Sequence, residues 1–116
     1  MGITYTSRRD LDLDQVIGLY HASTLGERRP VADRHVMQGM MDNADVIVTA
    51  WDGETLVGIS RTLTDFTYVA YLADLAVHVD WQGRGIGTEL IEQTRRMLEP
   101  TWKSCTQGAS ARQAVM

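Results

Sequence analysis

One stretch constrains this chain more than any other. A mostly apolar run, Tyr68 to Val79, breaks into Asp80-Trp81-Gln82-Gly83-Arg84-Gly85-Ile86-Gly87, and an amphipathic segment follows at once. The run reads as a central strand packed on both faces. Ile86, Leu90, Ile91, Thr94, Met97 and Leu98 fall near one stripe, so a helix is predicted over Thr88 to Leu98, with Pro100 ending it. Glycine admits positive φ and lets a ligand approach the backbone closely. The first turn of a helix carries unpaired N–H groups at the positive end of its dipole. Gly83, Gly85 and Gly87 therefore leave a concave row of amides from Gly83 through Thr88, and Arg84 adds a cation with five donors. A diphosphate is the ligand type such a row suits. A P-loop is excluded, because no Gly-Lys-Ser/Thr closes the bend. A dinucleotide fingerprint fits poorly: the glycines come late, after antiparallel-looking strands, and no second parallel strand follows.

The upstream pattern sets the fold class. Ile3 to Ser7 alternates as a short strand. Asp12 with Gln15 resembles a capping box ahead of a helix over about 12–23, whose apolar positions are Leu13, Val16, Ile17 and Tyr20. Pro30 is placed to open a second helix at about 31–43. Val36, Met37, Met40 and Met41 form its apolar face, either as core filler or as an adaptable wall. Val46 to Trp51, a turn at Asp52-Gly53, and Leu56 to Thr64 read as a hairpin. Short links then make the strands from 46 to 79 antiparallel. Helices before and after three such strands imply mixed α and β layers.

Composition bounds the function. The chain has 116 residues with formal charge −4, from 15 acidic against 11 basic residues, which argues against nucleic-acid backbone binding. One cysteine, Cys105, and three scattered histidines offer no disulfide and no metal-ligand spacing. No run of 18 apolar residues is present and the N-terminus lacks a secretory pattern, so no membrane association and a cytoplasmic location are expected.

The segment Leu72 to Leu90 resembles the acetyl-CoA motif of the GNAT family of N-acetyltransferases. Gln82, Gly85 and Gly87 match the Gln/Arg-x-x-Gly-x-Gly/Ala signature, entered by Leu75-Ala76-Val77-His78. The order of elements over roughly residues 3–98 is similar to that family as well. The resemblance implies an α/β (α+β) acyl-CoA N-acyltransferase-like fold, with a mainly antiparallel central sheet flanked by helices. It implies a core over 1–98, an atypical tail over 99–116, and transfer of an acetyl group from acetyl-CoA to a primary amine of a small molecule or protein by direct attack. Amides from Gln82 or Gly83 through Arg84, Gly85, Ile86, Gly87 and Thr88 would hold the CoA pyrophosphate. The strand ending at Val77 to Val79 would splay from its neighbour at a bulge, and its backbone, especially the Val77 amide, would hold the pantetheine arm and polarise the thioester.

Three side chains stand near that point. Asp74 inside an apolar strand has a raised pKa if dry, making it a base or amine anchor; alternatively it accepts local hydrogen bonds. Tyr71 falls where some family members place an acidic base, and is otherwise a packing residue. His78 adjoins the carbonyl-binding backbone and shares a face with Asp74 and Ala76 unless a bulge intervenes. Glu27, Arg28 and Arg29 lie where the family recognises its acceptor.

The chain also departs from the pattern. Only 18 residues follow Leu98, and Tyr5, Tyr20, Tyr68 and Tyr71 all lie upstream of where the family's thiolate-protonating tyrosine belongs. The tail has no apolar, β-branched run to serve as the next strand; a short helix from Ala109, a swapped arm or a loose tail are its alternatives. An uncovered strand edge calls for a partner, and a homodimer is the simplest. A CoA-binding but inactive or regulatory protein is the second function class, and an unrelated interaction domain the third.

Overall fold

Alternation along the middle strands decides the layering. The computed structural model describes residues 2–99 and 101–107. One sheet contains β1 (Thr4–Thr6), β2 (Val46–Asp52), β3 (Thr55–Thr64), β4 (Ala70–Val77) and β5 (Cys105–Gln107), in that spatial order. All pairings are antiparallel except β4 with β5. The helices are α1 (Leu13–Ala22), α2 (Arg34–Asn43) and α3 (Ile86–Leu98). Because successive side chains of a strand point to opposite faces, Ile47, Trp51 and Ile59 pack with Val16, Leu19, Tyr20 and Met37 under α1 and α2. Val46, Val48, Val57 and Leu72 pack with Ile86, Leu90 and Leu98 under α3. The sheet is therefore buried on both sides, as the near-continuous apolar runs require.

The fit of α3 on the sheet is close. A Cβ at Gly58 would stand 3.0 Å from Leu90 Cδ1 and 3.2 Å from Ile86 Cγ2, so the missing side chain is what lets the helix approach β3. Ser60 Oγ and Thr94 Oγ1 lie 2.7 Å apart in this interface, and the Thr94 hydroxyl donates to the Leu90 carbonyl at 2.8 Å. The Ser60 hydroxyl is then the donor to Thr94, which satisfies both buried groups.

Several expected boundaries move, each for a local reason. Asp12 caps α1 by accepting from Asp14 N–H, but Gln15 does not reach back as a capping box requires; its amide donates to the Glu54 carbonyl instead. Pro30 does not open α2. Asp33 does so, accepting from Val36 N–H at 3.1 Å, since a carboxylate oxygen satisfies an orphan amide that proline merely tolerates. The helix after the bend begins at Ile86 rather than Thr88. Beyond α3 the expectation of no strand is corrected: Cys105–Gln107 pairs in parallel with Ala70 to Leu72. A three-residue strand shows no periodicity, and pairing comes from backbone groups that any sequence supplies. The alternatives for residues from Ala109 onward lie outside the described residues.

Candidate active site

The bend after β4 is built by backbone conformation. Val77 ends the strand, and His78 opens a single 3-10 turn at Val79–Trp81 by accepting Asp80 N–H on Nδ1 at 3.1 Å. Gln82 then folds back, its side-chain amide donating to the Val77 carbonyl at 3.0 Å. Gly83 and Gly85 adopt φ of 80° and 82°, the left-handed region that any side chain disfavours. Gly85 is the residue from which α3 starts, and it supplies no side-chain cap. The first helical hydrogen bond runs from Glu89 N–H to Gly85 O at 3.0 Å. Nothing among the described residues accepts from the N–H groups of Gly83 through Thr88. A half-turn of bare donors at a helix N-terminus is a ready anion cradle.

These amides open onto a cleft of about 400 Å³. One wall is Trp81, Gln82, Gly83, Gly85, Ile86, Gly87 and Thr88; the floor is Leu75, Ala76 and Val77; the other wall is Ser23, Thr24, Leu25 and Arg28, from a 3-10 turn over Thr24–Arg28. The floor exposes backbone. His78 N–H donates to Val57 O at 2.9 Å, which makes Gly58 and Val77 a non-bonded pair in the antiparallel ladder. The Val77 N–H and C=O therefore face away from β3, towards the edge that β5 covers only at Ala70 to Leu72 among the described residues. Gln82 occupies the Val77 carbonyl, and no described residue accepts from the Val77 amide.

A closed polar cluster lies further back along β4, on the face that α1 covers. A bulge places Ala73 between the pairs Arg61–Asp74 and Thr62–Leu72, which keeps Asp74 on the α1 side with Ala76. Asp74 is fully buried. Its Oδ2 accepts from the Tyr20 hydroxyl at 2.8 Å and Arg61 Nε at 2.7 Å; its Oδ1 accepts from Arg29 Nε at 2.8 Å and pairs with Arg29 Nη2 at 2.6 Å. Burial, and then the charge and hydrogen bond of Asp74, push the Tyr20 phenol far above its ordinary value. Burial works against the Arg61 charge, but the hydrogen bond and charge of Asp74 outweigh it, so Arg61 is held more firmly protonated. Arg29 also donates to the Ala73 and Arg28 carbonyls, at 3.3 and 2.8 Å. It thereby ties the wall of the cleft to the strand beneath it.

The Acetyltransferase (GNAT) family profile matches residues 13–101. The chain belongs to this family of GNAT acetyltransferases. Its fold is that of solved relatives. A GNAT-family acetyltransferase from Streptococcus pneumoniae superposes with TM-score 0.73 at 22% identity, over 93% of this chain and 76% of that one. The PaiA N-acetyltransferase from Thermoplasma acidophilum, in complex with coenzyme A, gives 0.67 at 13% identity over 92% and 79%. An aminoglycoside acetyltransferase from an uncultured soil metagenomic sample, in complex with sisomicin, gives 0.62 at 26% identity over 92% and 74%. No curated protein matches by sequence.

Against this GNAT frame the expected residues divide. Val77, Gln82, Gly83, Gly85, Ile86, Gly87 and Thr88 line the cleft. Val79 and Arg84 do not: Val79 is exposed, and Arg84 turns back to donate to the Asp80 carbonyl at 3.2 Å. None of Asp74, Tyr71 and His78 lines it. Tyr71 lies exposed at a separate hollow beside Leu63, Val69 and Thr106. His78 packs edge-on against Trp81, ring centroids 4.9 Å apart, and spends Nδ1 on the turn. Trp81 packs against the α3 core. Tyr20 and the pairing of Arg29 and Arg61 with Asp74 were not legible, because helix and strand periodicity only mark Tyr20 as apolar core. Gly26 is a further surprise: a Cβ there would stand 2.5 Å from the Tyr20 carbonyl oxygen. Gly26→Ala is expected to lower stability by roughly 1–3 kcal/mol, because a backbone oxygen cannot rotate aside; chemical denaturation measures the effect.

Proposed function

We propose that this protein transfers an acetyl group from acetyl-CoA to a primary amine of a small molecule or protein by direct attack. The observation that carries the reading is the row of amides from Gly83 to Thr88, for which no described residue is an acceptor, beside a Val77 N–H that no described strand covers. Six bare donors at a positive helix end suit a pyrophosphate, and the coenzyme A complex of the Thermoplasma relative supports the same ligand. Bound there, acetyl-CoA supplies an activated acyl carbon. The Gly83–Thr88 amides hold the diphosphate, and the Val77 N–H lies where it donates to the thioester oxygen and favours the negative charge that develops on it. Gln82, by holding the Val77 carbonyl, keeps that amide aimed at the edge. Ser23, Thr24 and Arg28 face the space left for the acceptor.

Proton handling falls less on side chains than the sequence suggested. Two guanidinium groups and a phenol already occupy the Asp74 carboxylate. With Nδ1 accepting from Asp80, a neutral His78 ring carries its proton on Nε2 and offers a donor there, not a base. The acceptor amine then loses its proton to water. The expected kcat/KM rises with pH along the amine's own ionisation, near 8 for an α-amine or about 10 for an alkyl amine. A break that stays at the same pH whichever amine is used would instead assign the base to a side chain of the protein.

The test is twofold: acetyl-CoA binding by calorimetry, and thiol release on adding amine acceptors. Binding without thiol release from any amine would favour the second reading, a CoA-binding protein with a regulatory role, which the occupied state of Asp74 supports. A homodimer and a cytoplasmic location complete the proposal. The exposed side chains of Leu63, Phe66, Tyr68, Val69 and Tyr71 at the β3–β4 turn support the former, and sedimentation measures it. Among the described residues no helix is long and apolar enough to cross a membrane.

A further inference from the structure

The charge inventory of the cleft runs against that of the whole chain. The protein carries −4 overall, which alone favours a cationic partner. Yet Arg28 is the one charged side chain among the described residues that line the cleft, and no carboxylate joins it. The nearby acid that sequence position offers, Asp74, is fully buried on the α1 side of β4 with its charge spent on Arg29 and Arg61. The opposite wall sets the bare N–H groups and a positive helix end beside the uncharged side chains of Trp81, Gln82, Ile86 and Thr88. With the Gly83–Thr88 amides given to the diphosphate, an ammonium group entering here meets no counter-charge among the described residues, whereas an oxyanion meets Arg28.

Arg28 is also held in place. Arg29 Nη1 donates to the Arg28 carbonyl at 2.8 Å while its other nitrogens grip buried Asp74 and the Ala73 carbonyl. The backbone that carries Arg28 is therefore pinned to β4. The Arg28 guanidinium itself has no hydrogen-bond or ion-pair partner among the described residues. A fixed backbone presenting a free, planar, five-donor cation suits bidentate recognition of a carboxylate.

We infer that Arg28 selects an acceptor amine bearing a carboxylate, such as an amino acid or a peptide with a free C-terminus, and discriminates against polyamines. The inference rests on the acetyl-transfer reading above. Arg28 is a specificity residue on the acceptor side, and CoA is held without it.

The test uses acceptor pairs that differ only in a carboxylate against its carboxamide: α-amino acids and their amides, dipeptides and their amides, with a polyamine alongside. Two readouts are taken on wild type, Arg28→Gln and Arg28→Lys: thiol release with acetyl-CoA, and calorimetric binding of each acceptor to protein saturated with CoA. Wild type is expected to favour the acid member by about tenfold. Arg28→Gln is expected to erase that preference and leave CoA affinity and unfolding midpoint unchanged, with Arg28→Lys in between. Acid-selective binding to the CoA-loaded protein without thiol release would sink the transfer reading and leave the anion site standing. Three results overturn the inference: equal handling of acid and amide by wild type, tighter binding of the polyamine, or an Arg28→Gln loss confined to CoA affinity, which would make Arg28 a phosphate ligand. Absence of both turnover and binding for every acid counts against it equally.

Discussion

Asp74→Ala is expected to lower the free energy of unfolding by about 3–5 kcal/mol, the usual penalty for removing one partner of a buried ion pair. The reason lies in what remains. Arg61 is nearly buried and Arg29 about three-quarters so, with side-chain exposures of 12% and 26%; without the carboxylate their like charges face each other with no counter-ion. The Tyr20 hydroxyl loses its acceptor as well. Against a total stability of about 5–15 kcal/mol, the loss is large enough to appear as a fraction unfolded at growth temperature. Urea titration measures it. Asp74→Asn keeps the shape and one acceptor oxygen but not the charge, and is expected to fall between the two. If Asp74 were instead the catalytic base, Asp74→Asn would abolish turnover with little change in the unfolding midpoint, and that result would sink the structural assignment. Tyr20 adds a pH signature. Its folded pKa is raised above the ordinary 10.0, so below pH 10 folded and unfolded chains both keep the proton. Above it only the folded chain does, and stability falls as pH rises. Tyr20→Phe is expected to remove that alkaline fall while destabilising the protein at neutral pH through the Asp74 oxygen left short of a donor.

Gly85→Glu is expected to abolish CoA binding, with affinity down by at least about 100-fold, while the protein stays folded. Two effects act together. The residue sits at φ 82°, where a side chain costs about 1–2 kcal/mol. The new carboxylate then stands at the helix N-terminus that the diphosphate would occupy, and repels it. No steric clash contributes, because a Cβ at Gly85 meets nothing within 4 Å. Gly85→Ala separates the two effects: it carries the backbone strain without the charge, so its affinity is expected to drop only several-fold. Circular dichroism confirms folding and calorimetry reads the affinity. Unchanged CoA binding in Gly85→Glu would remove the amide row from the site.

Much of the fold could be read from local pattern because local physics fixes it. The strands β2, β3 and β4 announce themselves as β-branched, apolar runs long enough to be buried on both faces. The bend at Gly83 and Gly85 is legible because few residues but glycine tolerate that φ. Helix α1 shows in Leu13, Val16 and Tyr20 at helical spacing. The candidate site was legible to the same depth: where a row of backbone amides is the binding surface, the sequence that shapes the backbone also reveals the surface. Side-chain roles were not. Asp74 looked like a base because a carboxylate in an apolar strand has no visible partner, and its partners stand 13, 45 and 54 positions away in sequence. Arg84 looked like a phosphate ligand by adjacency, yet its side chain turns back to Asp80.

The sequence by itself determined the layered α/β architecture and the left-handed glycines, since hydrophobic period and glycine's freedom act over a few residues. The tertiary structure alone decided that Tyr20, Arg29 and Arg61 converge on Asp74, that Arg28 faces the cleft, and that Cys105–Gln107 joins β4. Each of those depends on distant segments meeting in space, and charge neutralisation and backbone pairing leave no periodic trace along the chain.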